Sequence, residues 1–356
     1  MPFEANMDTS KLKTWFIQEK REMPWRGQPT PYQVWISEVM LQQTQVAVVK
    51  NYYLRWMAVF PSIKSLAESS IDEVIKLWEG LGYYSRARNL HKAAQYVMEH
   101  HGGELPDTKE ELIRIVGLGP YTVGAILSFA FHKRAPAVDG NVIRVLSRYM
   151  GLEEDVSLGS VKAKIWEYAE KILPQEDPWV VTEALIEIGS TVCMRTPKCF
   201  LCPLQSGCVG LSKGNADLLP IKGKKQKIET LHRQVAVIIF QDYVLLRKGQ
   251  EKEVMRDLYE FPYFEMGAEI SAVLGIALKF QETLSQVKHS FTRFRATLYP
   301  SVWEVVTKEA LLGFEWKRIA EVSSLPFSSG HRKILFELLG PLSASTVSKH
   351  SASKAT

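Results

Sequence analysis

Between Asp8 and about residue 212, apolar residues return every three or four positions, the spacing of helices that bury one face. Asp72-Glu-Val-Ile-Lys-Leu-Trp78, Val142 to Met150, and Leu112 to Phe131 with a glycine turn inside it are the clearest stretches, each opened by a capping type of residue or a tight turn. The pattern predicts an all-α module over 8–212. After Gly210 it breaks: Gly214, Asn215, Pro220 and Gly223 accompany Lys222, Lys224, Lys225 and Lys227, the make-up of an exposed basic connector over 213–230. Beyond it the period shortens towards that of strands at Arg233 to Phe240, Tyr243 to Arg247 and Phe291 to Val306, with a closing helix near His331 to Leu339. An α+β domain is expected over 231–342, and the Ser-, Thr- and Lys-rich stretch 343–356 reads as a disordered tail. The fold class is therefore multidomain.

Composition adds bounds to this picture. With 46% hydrophobic and 23% charged residues the chain can bury a substantial core, and 356 residues suit two or three domains. No apolar run approaches the ~18 residues that cross a bilayer, so no membrane partner is expected. A net charge of +5 is modest for this length, so a polyanion would have to be met by local basic patches. The first residues carry no charged and apolar leader pattern, which makes a cytoplasmic protein the expectation.

All four cysteines, Cys193, Cys199, Cys202 and Cys208, fall within sixteen residues. Disulfides suit an oxidising compartment, which the start of the chain does not suggest. Four thiols this close point to one metal centre instead. Only Cys199 and Cys202 form a C-x2-C unit, with the outer pair five residues away on each side, so spacing alone leaves zinc and an iron–sulfur cluster both open.

A second signal is Leu112-Ile-Arg-Ile-Val-Gly-Leu-Gly-Pro-Tyr-Thr-Val-Gly124, in which Gly117 and Gly119 separate two apolar halves. Glycines there permit a tight turn and leave the amides that open the second helix, at Thr122 and its neighbours, uncovered for a phosphate oxygen. An ordinary αα-corner would look the same. Further along, the extended Ala135-Pro-Ala-Val138 leads into Asp139-Gly-Asn141, where an Asp would commonly cap the next helix. Glu38 lies among Trp35, Ile36, Val39, Met40 and Leu41, so its carboxyl either faces an apolar pocket that favours the neutral acid or sits on the surface of an amphipathic helix.

These stretches, with Trp25-Arg26, Ser37-Glu-Val-Met-Leu-Gln-Gln-Thr44, Trp78-Glu-Gly-Leu-Gly-Tyr-Tyr-Ser-Arg86, Val138-Asp-Gly-Asn141 and Glu183-Ala-Leu-Ile-Glu-Ile-Gly189, occur in the order of a known family's motifs. Over residues 10 to 210 the chain resembles the helix-hairpin-helix DNA glycosylases of the endonuclease III superfamily, and among them the A/G-specific adenine DNA glycosylases. The resemblance implies a helical barrel lobe over 28–135 with its hairpin at 112–131, and a lobe of 8–27 with 136–212 holding one [4Fe-4S] cluster on the four cysteines. The family usually places six residues between its first two cysteines, whereas Cys193 and Cys199 enclose five. Arg195 and Lys198 beside them are available for phosphate contact.

By the same resemblance the partner is double-stranded DNA carrying an adenine mispair, and the reaction is hydrolysis of the adenine N-glycosidic bond opposite 8-oxoguanine or guanine, by a monomer. Glu38 would protonate N7 of a flipped-out adenine, and Asp139, supported by Asn141, would stabilise the oxocarbenium-like sugar. Tyr121 stands where strand-cleaving relatives carry a lysine, so weak or no lyase activity is implied, and its hydroxyl could orient Glu38. Gln42, Gln43, Tyr83 and Tyr84 match positions that fill the vacated stack and contact the opposite base. Trp25, Arg26 and Glu183 match the adenine pocket. In the second domain, Asp257-Leu-Tyr-Glu-Phe-Pro262 and Trp316 to Leu325 resemble a Nudix-like domain that inspects 8-oxoguanine through a Phe-Ser-His loop. Here that loop is Phe291-Thr292-Arg293, and the acidic R-E-x-x-E-E helix that would hold magnesium for nucleotide hydrolysis is missing. Two other readings remain, a sister glycosylase acting on thymine or uracil, and a damage sensor without turnover. Glu38 disfavours the first because a pyrimidine has no N7, and the pairing of Glu38 with Asp139 disfavours the second.

Overall fold

The computed structural model describes residues 7–223, 228–291 and 293–340. Thr292, residues 224–227 of the connector and the whole tail 343–356 lie outside these described residues. The chain divides into two compact units, one of Met1–Glu68 with Asn89–Lys225 and one of Ser69–Arg88 with Gln226–Thr356.

Helices make up the first unit. In order they are α1 (Thr9–Glu19), α2 (Pro31–Leu41), α3 (Val46–Val59) and α4 (Ile63–Glu68), then α5 (Ile71–Trp78) and α6 (Ser85–His101), which carry the chain into and out of the other unit. There follow α7 (Lys109–Leu112), α8 (Pro120–Phe129), α9 (Gly140–Met150), α10 (Gly159–Lys171), α11 (Pro178–Thr191) and α12 (Val209–Ser212). The start of α2 is fixed by a capping box: the Thr30 hydroxyl accepts from the Gln33 amide at 3.3 Å, the Gln33 side chain accepts from the Thr30 amide at 2.9 Å, and Pro31 fills the first turn. From Val34 to Met40 every residue of α2 is buried, because α3 and α8 pack against it. That removes the amphipathic-surface alternative for Glu38.

The predicted hairpin differs in its first half. α7 ends at Leu112, and residues 113–117 run as turns before α8 begins at Pro120. Gly117 has φ +83°, and a Cβ there would lie 2.8 Å from Asn89 Cβ, so glycine is required on both counts. Gly119 is not constrained in this way: its φ of −84° is open to any residue, and a Cβ would meet nothing within 4 Å. In α8 it is Gly124 that the packing demands, since a Cβ would sit 2.0 Å from the Pro136 carbonyl oxygen. This close approach brings the extended 135–138 segment, and Asp139 at its end, alongside α8.

The second unit holds one mixed sheet. Its strands are β1 (Glu229–Phe240), β2 (Tyr243–Lys248), β3 (Tyr259–Glu260), β4 (Tyr263–Glu265), β5 (Lys279–Thr283), β6 (Val287–Phe291), β7 (Phe294–Glu304) and β8 (Glu315–Arg318). The spine runs β3-β2-β1-β7-β5, with β1 and β7 parallel from Glu229↔Phe294 to Ile239↔Glu304. Helix α13 (Ile270–Leu274) packs with Ala236, Ile238 and Leu245 on one face, and α14 (Ser329–Leu339) with Val235, Val237 and Leu298 on the other. Coverage of both faces explains why β1 reads as an unbroken Val-Ala-Val-Ile-Ile run instead of an alternation. The single strand expected over 291–306 is the end of β6, a turn, and β7, with Phe291 paired to Phe294. Residues 69–88, which the helical pattern placed in 8–212, group with this unit through polar anchors. Arg332 donates to Glu79 at 2.9 Å, Lys248 to Asp72 at 2.9 Å and Lys76 to the Leu325 carbonyl at 3.1 Å.

Replacing Gly124 with alanine drives a methyl group into a backbone carbonyl that cannot swing aside, at an expected cost of about 1–3 kcal/mol of unfolding free energy. Urea denaturation of the variant would show an unchanged midpoint if the approach of α8 to Pro136 were looser than described.

Candidate active site

Glu38 is 5% exposed, and its carboxyl lines a cavity of about 460 Å³, within the range of about 300–1,000 Å³ common for ligand pockets. The cavity lies wholly in the first unit. Tyr121 in the first turn of α8, Asp139 and Asn141 at the start of α9, Gln42 and Gln43 after α2, Trp25 and Arg26 between α1 and α2, and Glu183 on α11 line it too. Segments distant in sequence thus converge on one space.

Burial pushes the Glu38 carboxyl up to about 7. The hydrogen bond that the Tyr121 hydroxyl donates to Glu38 Oε2 works against the rise, while the negative groups of Asp139 and Glu183 add to it and Arg26 opposes them. Tyr121 itself is raised well above its ordinary value by burial and by Glu38, so it stays a neutral donor. No lysine is among the described residues lining the cavity.

Asp139 is both a helix cap and a member of this site. Its Oδ1 accepts from the amides of Asn141 and Val142, each at 2.8 Å, and its Oδ2 accepts from Asn141 Nδ2 at 2.7 Å. Burial raises its carboxyl, and these three donors together with the Arg144 charge resist the rise by favouring the ionised form. The two acids therefore stand in different company, one against apolar helix and a phenol, the other in a ring of N–H groups.

Sequence reading missed the groups that brace this ring. Arg144 Nη2 donates to Asn141 Oδ1 at 2.7 Å and to the Gly189 carbonyl at 2.6 Å, and its Nε donates to the Cys193 carbonyl at 2.7 Å. Arg148, 2% exposed, donates to the carbonyls of Met194 at 2.6 Å, Arg195 at 3.0 Å and Leu219 at 3.0 Å, and reaches Cys193 Sγ at 3.3 Å. Across the pocket Glu187, 1% exposed, accepts from Arg21 Nε at 2.6 Å and Arg26 Nη2 at 2.7 Å. Burial alone would raise its carboxyl, but the two guanidiniums overcome that and hold it below the usual range. Arg26 also lies 3.5 Å from Glu183, whose carboxyl burial raises. Spacing of Arg and Glu on helices gave no signal for pairs formed 160 residues apart.

The remaining candidates are distributed as follows. Trp25 is buried edge-on against Tyr53, with ring centroids 5.3 Å apart. Gln42 Nε2 donates to Thr122 Oγ1 at 3.4 Å. The Thr122 side chain is buried inside α8, so what its first-turn position offers a phosphate is the backbone amide that the sequence pattern pointed to. Gln43 and Tyr83 are non-glycine residues with positive φ, 57° and 49°, a conformation that a bulky side chain adopts at a cost and that clusters at functional sites. Tyr83 is 46% exposed, with the Arg86 guanidinium 5.6 Å from its ring, while Tyr84 is buried and its hydroxyl accepts from the Gly80 amide at 3.2 Å. Both tyrosines belong to the second unit. So does Phe291, which packs on His289 and Phe294, and Arg293, which pairs with Glu229 at 3.3 Å.

The four cysteines surround one small apolar cavity together with Val145, Tyr149 and Ile188. Among the described residues, no group of three or more His, Cys, Asp or Glu side chains converges as ligands of a single ion would. Arg195 and Lys198 are exposed beside the loop. Among the described residues no helix is long and apolar enough to cross a membrane.

Comparison with known proteins agrees with this geometry. Residues 36–171 match the model of the HhH-GPD superfamily of base excision DNA repair proteins, and residues 234–337 match that of the NUDIX domain. Adenine DNA glycosylase of Buchnera aphidicola subsp. Baizongia pistaciae (strain Bp) is 33% identical over 307 residues, spanning 84% of this chain and 86% of that one. The adenine DNA glycosylase of Homo sapiens is 44% identical over 215 residues, 58% of this chain and 39% of its own. Among solved structures, a thermostable thymine-DNA glycosylase aligns with TM-score 0.53 and 28% identity over 58% of this chain and 95% of its own. A non-covalent endonuclease III–DNA complex aligns with TM-score 0.50 and 25% identity over 58% and 94%. With its paired acids in one cavity and relatives matched over most of both lengths, the chain belongs to the adenine DNA glycosylases, enzymes of base excision repair that hydrolyse an N-glycosidic bond in DNA.

Proposed function

We propose that the substrate is adenine opposite 8-oxoguanine or guanine in duplex DNA, flipped into the cavity of the first unit and released by two acids acting on opposite ends of the glycosidic bond. The observation that carries this reading is that Glu38 and Asp139 line one cavity, Glu38 raised by burial to about 7 and Asp139 also raised by burial but with three N–H donors and Arg144 opposing the rise. Glu38, protonated up to about 7, is set to give its proton to N7 of adenine and so make the base a neutral leaving group. Asp139, held by N–H donors, supplies the negative charge that an oxocarbenium-like sugar needs. Tyr121 positions Glu38 by its hydrogen bond. A phenol has no amine nitrogen with which to form a Schiff base, and with no lysine among the described lining residues the reading is of a monofunctional glycosylase.

Trp25, Arg26 and Glu183 enclose the base, with Glu187 and Arg21 fixing the Arg26 guanidinium. The positive φ of Gln43 and Tyr83 suits residues that project into a stack from which a base has left. The amides that open α8 after Gly119 are suited to a phosphate, since nothing lies within 4 Å of a Cβ built there. Inspection of 8-oxoguanine would fall to the Phe291-to-Arg293 turn of the second unit. Cys193, Cys199, Cys202 and Cys208 would hold one [4Fe-4S] cluster, which supplies a covalent staple for the loop carrying Arg195 and Lys198. Support for a cluster is that the four thiols line one small apolar cavity in a chain of this family.

Three outcomes are expected. Brown, cluster-loaded protein releases adenine in a single-turnover assay on a duplex with one central A opposite 8-oxoguanine, and no release would end this reading. Asp139→Asn keeps the helix cap, because an asparagine oxygen also accepts the α9 amides, yet slows excision by about a hundredfold or more while mismatch affinity persists. Equal rates in quench-flow would reduce Asp139 to a cap. For Glu38→Gln, loss of excision comes with a gain in stability that depends on pH. The folded carboxyl titrates at about 7 against an ordinary 4.5. Between these values the native protein keeps a proton that the unfolded chain has lost, so wild-type stability falls as pH rises through the window, by about 3 kcal/mol in all. Chemical denaturation should show the variant's advantage growing by that order between pH 4 and pH 8, and a constant difference would contradict it.

A further inference from the structure

In the second unit, Tyr83 and the Phe291-to-Arg293 turn are remote in sequence, yet a short series of contacts leads from one to the other, with a shielded ion pair in the middle. Glu79 follows α5, and its carboxylate accepts from Arg332 Nε and, at 2.9 Å, from Arg332 Nη2, a two-pronged grip. Lys76 Nζ at 2.9 Å and the Phe327 amide at 3.4 Å also donate to it. The Arg332 guanidinium is seated in turn by the Leu325 carbonyl and by the face of Phe327, 4.9 Å from its ring centroid. The two side chains are 12% and 14% exposed, so salt and water weaken this pair far less than an open one such as Lys248 with Asp72, at 27% and 50%.

On the Glu79 side the chain runs to Tyr83 as one braced turn. Trp78 Nε1 donates to the Gly82 carbonyl at 3.0 Å, Arg86 Nη2 donates to the carbonyls of Leu81 at 3.1 Å and Gly82 at 3.0 Å, and the Tyr84 hydroxyl accepts the Gly80 amide at 3.2 Å. A turn held at these points moves as a body, so a displacement of Glu79 is passed on to Tyr83. On the Arg332 side, α14 opens directly on the strands that form the other turn. A Cβ on Gly330 would lie 2.9 Å from both His289 Cδ2 on β6 and Leu298 Cδ1 on β7. The His289 ring packs in turn on Phe291, with centroids 5.1 Å apart. Further along α14, Glu337 Oε1 accepts the Ser285 amide at 2.9 Å, which fixes the helix to the chain just before β6.

From this placement we infer that Glu79 and Arg332 are a specificity-determining positioning pair, which ties Tyr83 to the turn that reads the base opposite adenine. Neither residue touches a reacting atom. The inference rests on the function proposed above, in which Tyr83 fills the vacated stack and the Phe291-to-Arg293 turn inspects 8-oxoguanine. A base that engages this turn holds β6 and the start of α14 in one arrangement, and through Arg332 and Glu79 the same arrangement is imposed on the Tyr83 turn. Guanine engages the turn less, so the bias on Tyr83 is smaller. Without the ion pair the two turns respond separately, and the opposite base loses its hold on excision.

The test measures single-turnover excision by the full, cluster-loaded chain on two duplexes, with adenine opposite 8-oxoguanine and opposite guanine, and takes the ratio of the two rates. That ratio is indifferent to the fraction of active protein, so a merely structural loss does not move it. Glu79→Gln and Arg332→Gln should each lower the ratio about fivefold or more by slowing the 8-oxoguanine arm, and the double variant should lower it no further than either single one. If the glutamine variants do not fold, judged by circular dichroism, Arg332→Lys, which keeps the charge but grips one oxygen, should lower the ratio about threefold or more. A wild-type ratio in the folded variants, losses that multiply in the double variant, or equal wild-type rates on the two duplexes would overturn the inference. Wild-type protein silent on both duplexes would instead end the proposed function itself.

Discussion

Keeping a carboxyl group away from water while leaving it room to meet a base is the constraint on which the first unit depends. α2 is buried from Val34 to Met40, so the Glu38 carboxyl is held out of water and its proton is held up to about 7. An isolated buried carboxyl would be only a cost. In the proposed reading the Tyr121 hydroxyl and the neighbouring cavity turn it into a poised acid, the common compromise between stability and function at active sites. Packing of α8 against α2 brings the phenol to that place, and the close approach of Gly124 to Pro136 brings Asp139 alongside.

Asp139 is also raised by burial, but N–H donors oppose the rise, which suits the part proposed for it. Capping groups and catalytic anions have the same need, N–H donors directed at an oxygen, and the turn into α9 meets both with one side chain. Arg144 extends the arrangement, because the guanidinium that holds Asn141 also holds the Cys193 carbonyl. The acid's immediate support and the cysteine loop are thus parts of one hydrogen-bonded assembly. Displacement of either end would be felt at the other, with no need for a conformational switch.

Much of this was legible before any coordinates. The 3.6-residue period marked α5 and α9, the glycine pair marked the hairpin, and Val-Ala-Val-Ile-Ile marked the central strand. Residue types in family order identified Glu38, Tyr121 and Asp139 as partners. What stayed hidden has physical causes. Arg21, Arg144 and Glu187 act through contacts between segments remote in sequence, and long-range ion pairs leave no periodic trace. Glu38 could not be placed by pattern alone, since a helix buried all round and an amphipathic one share the same apolar neighbours over a single turn. The β6–β7 turn was missed because Phe291 and Phe294 flank it with strand-forming residues and no glycine or asparagine marks it.

The central claim is that Glu38 keeps its proton to near neutrality inside a cavity it shares with Asp139. A ¹³C NMR titration of the side-chain carboxyls, with Glu38→Gln to assign the signal, observes that proton directly. The account predicts a Glu38 midpoint near 7. A midpoint near the ordinary carboxylate value of about 4.5 would contradict it.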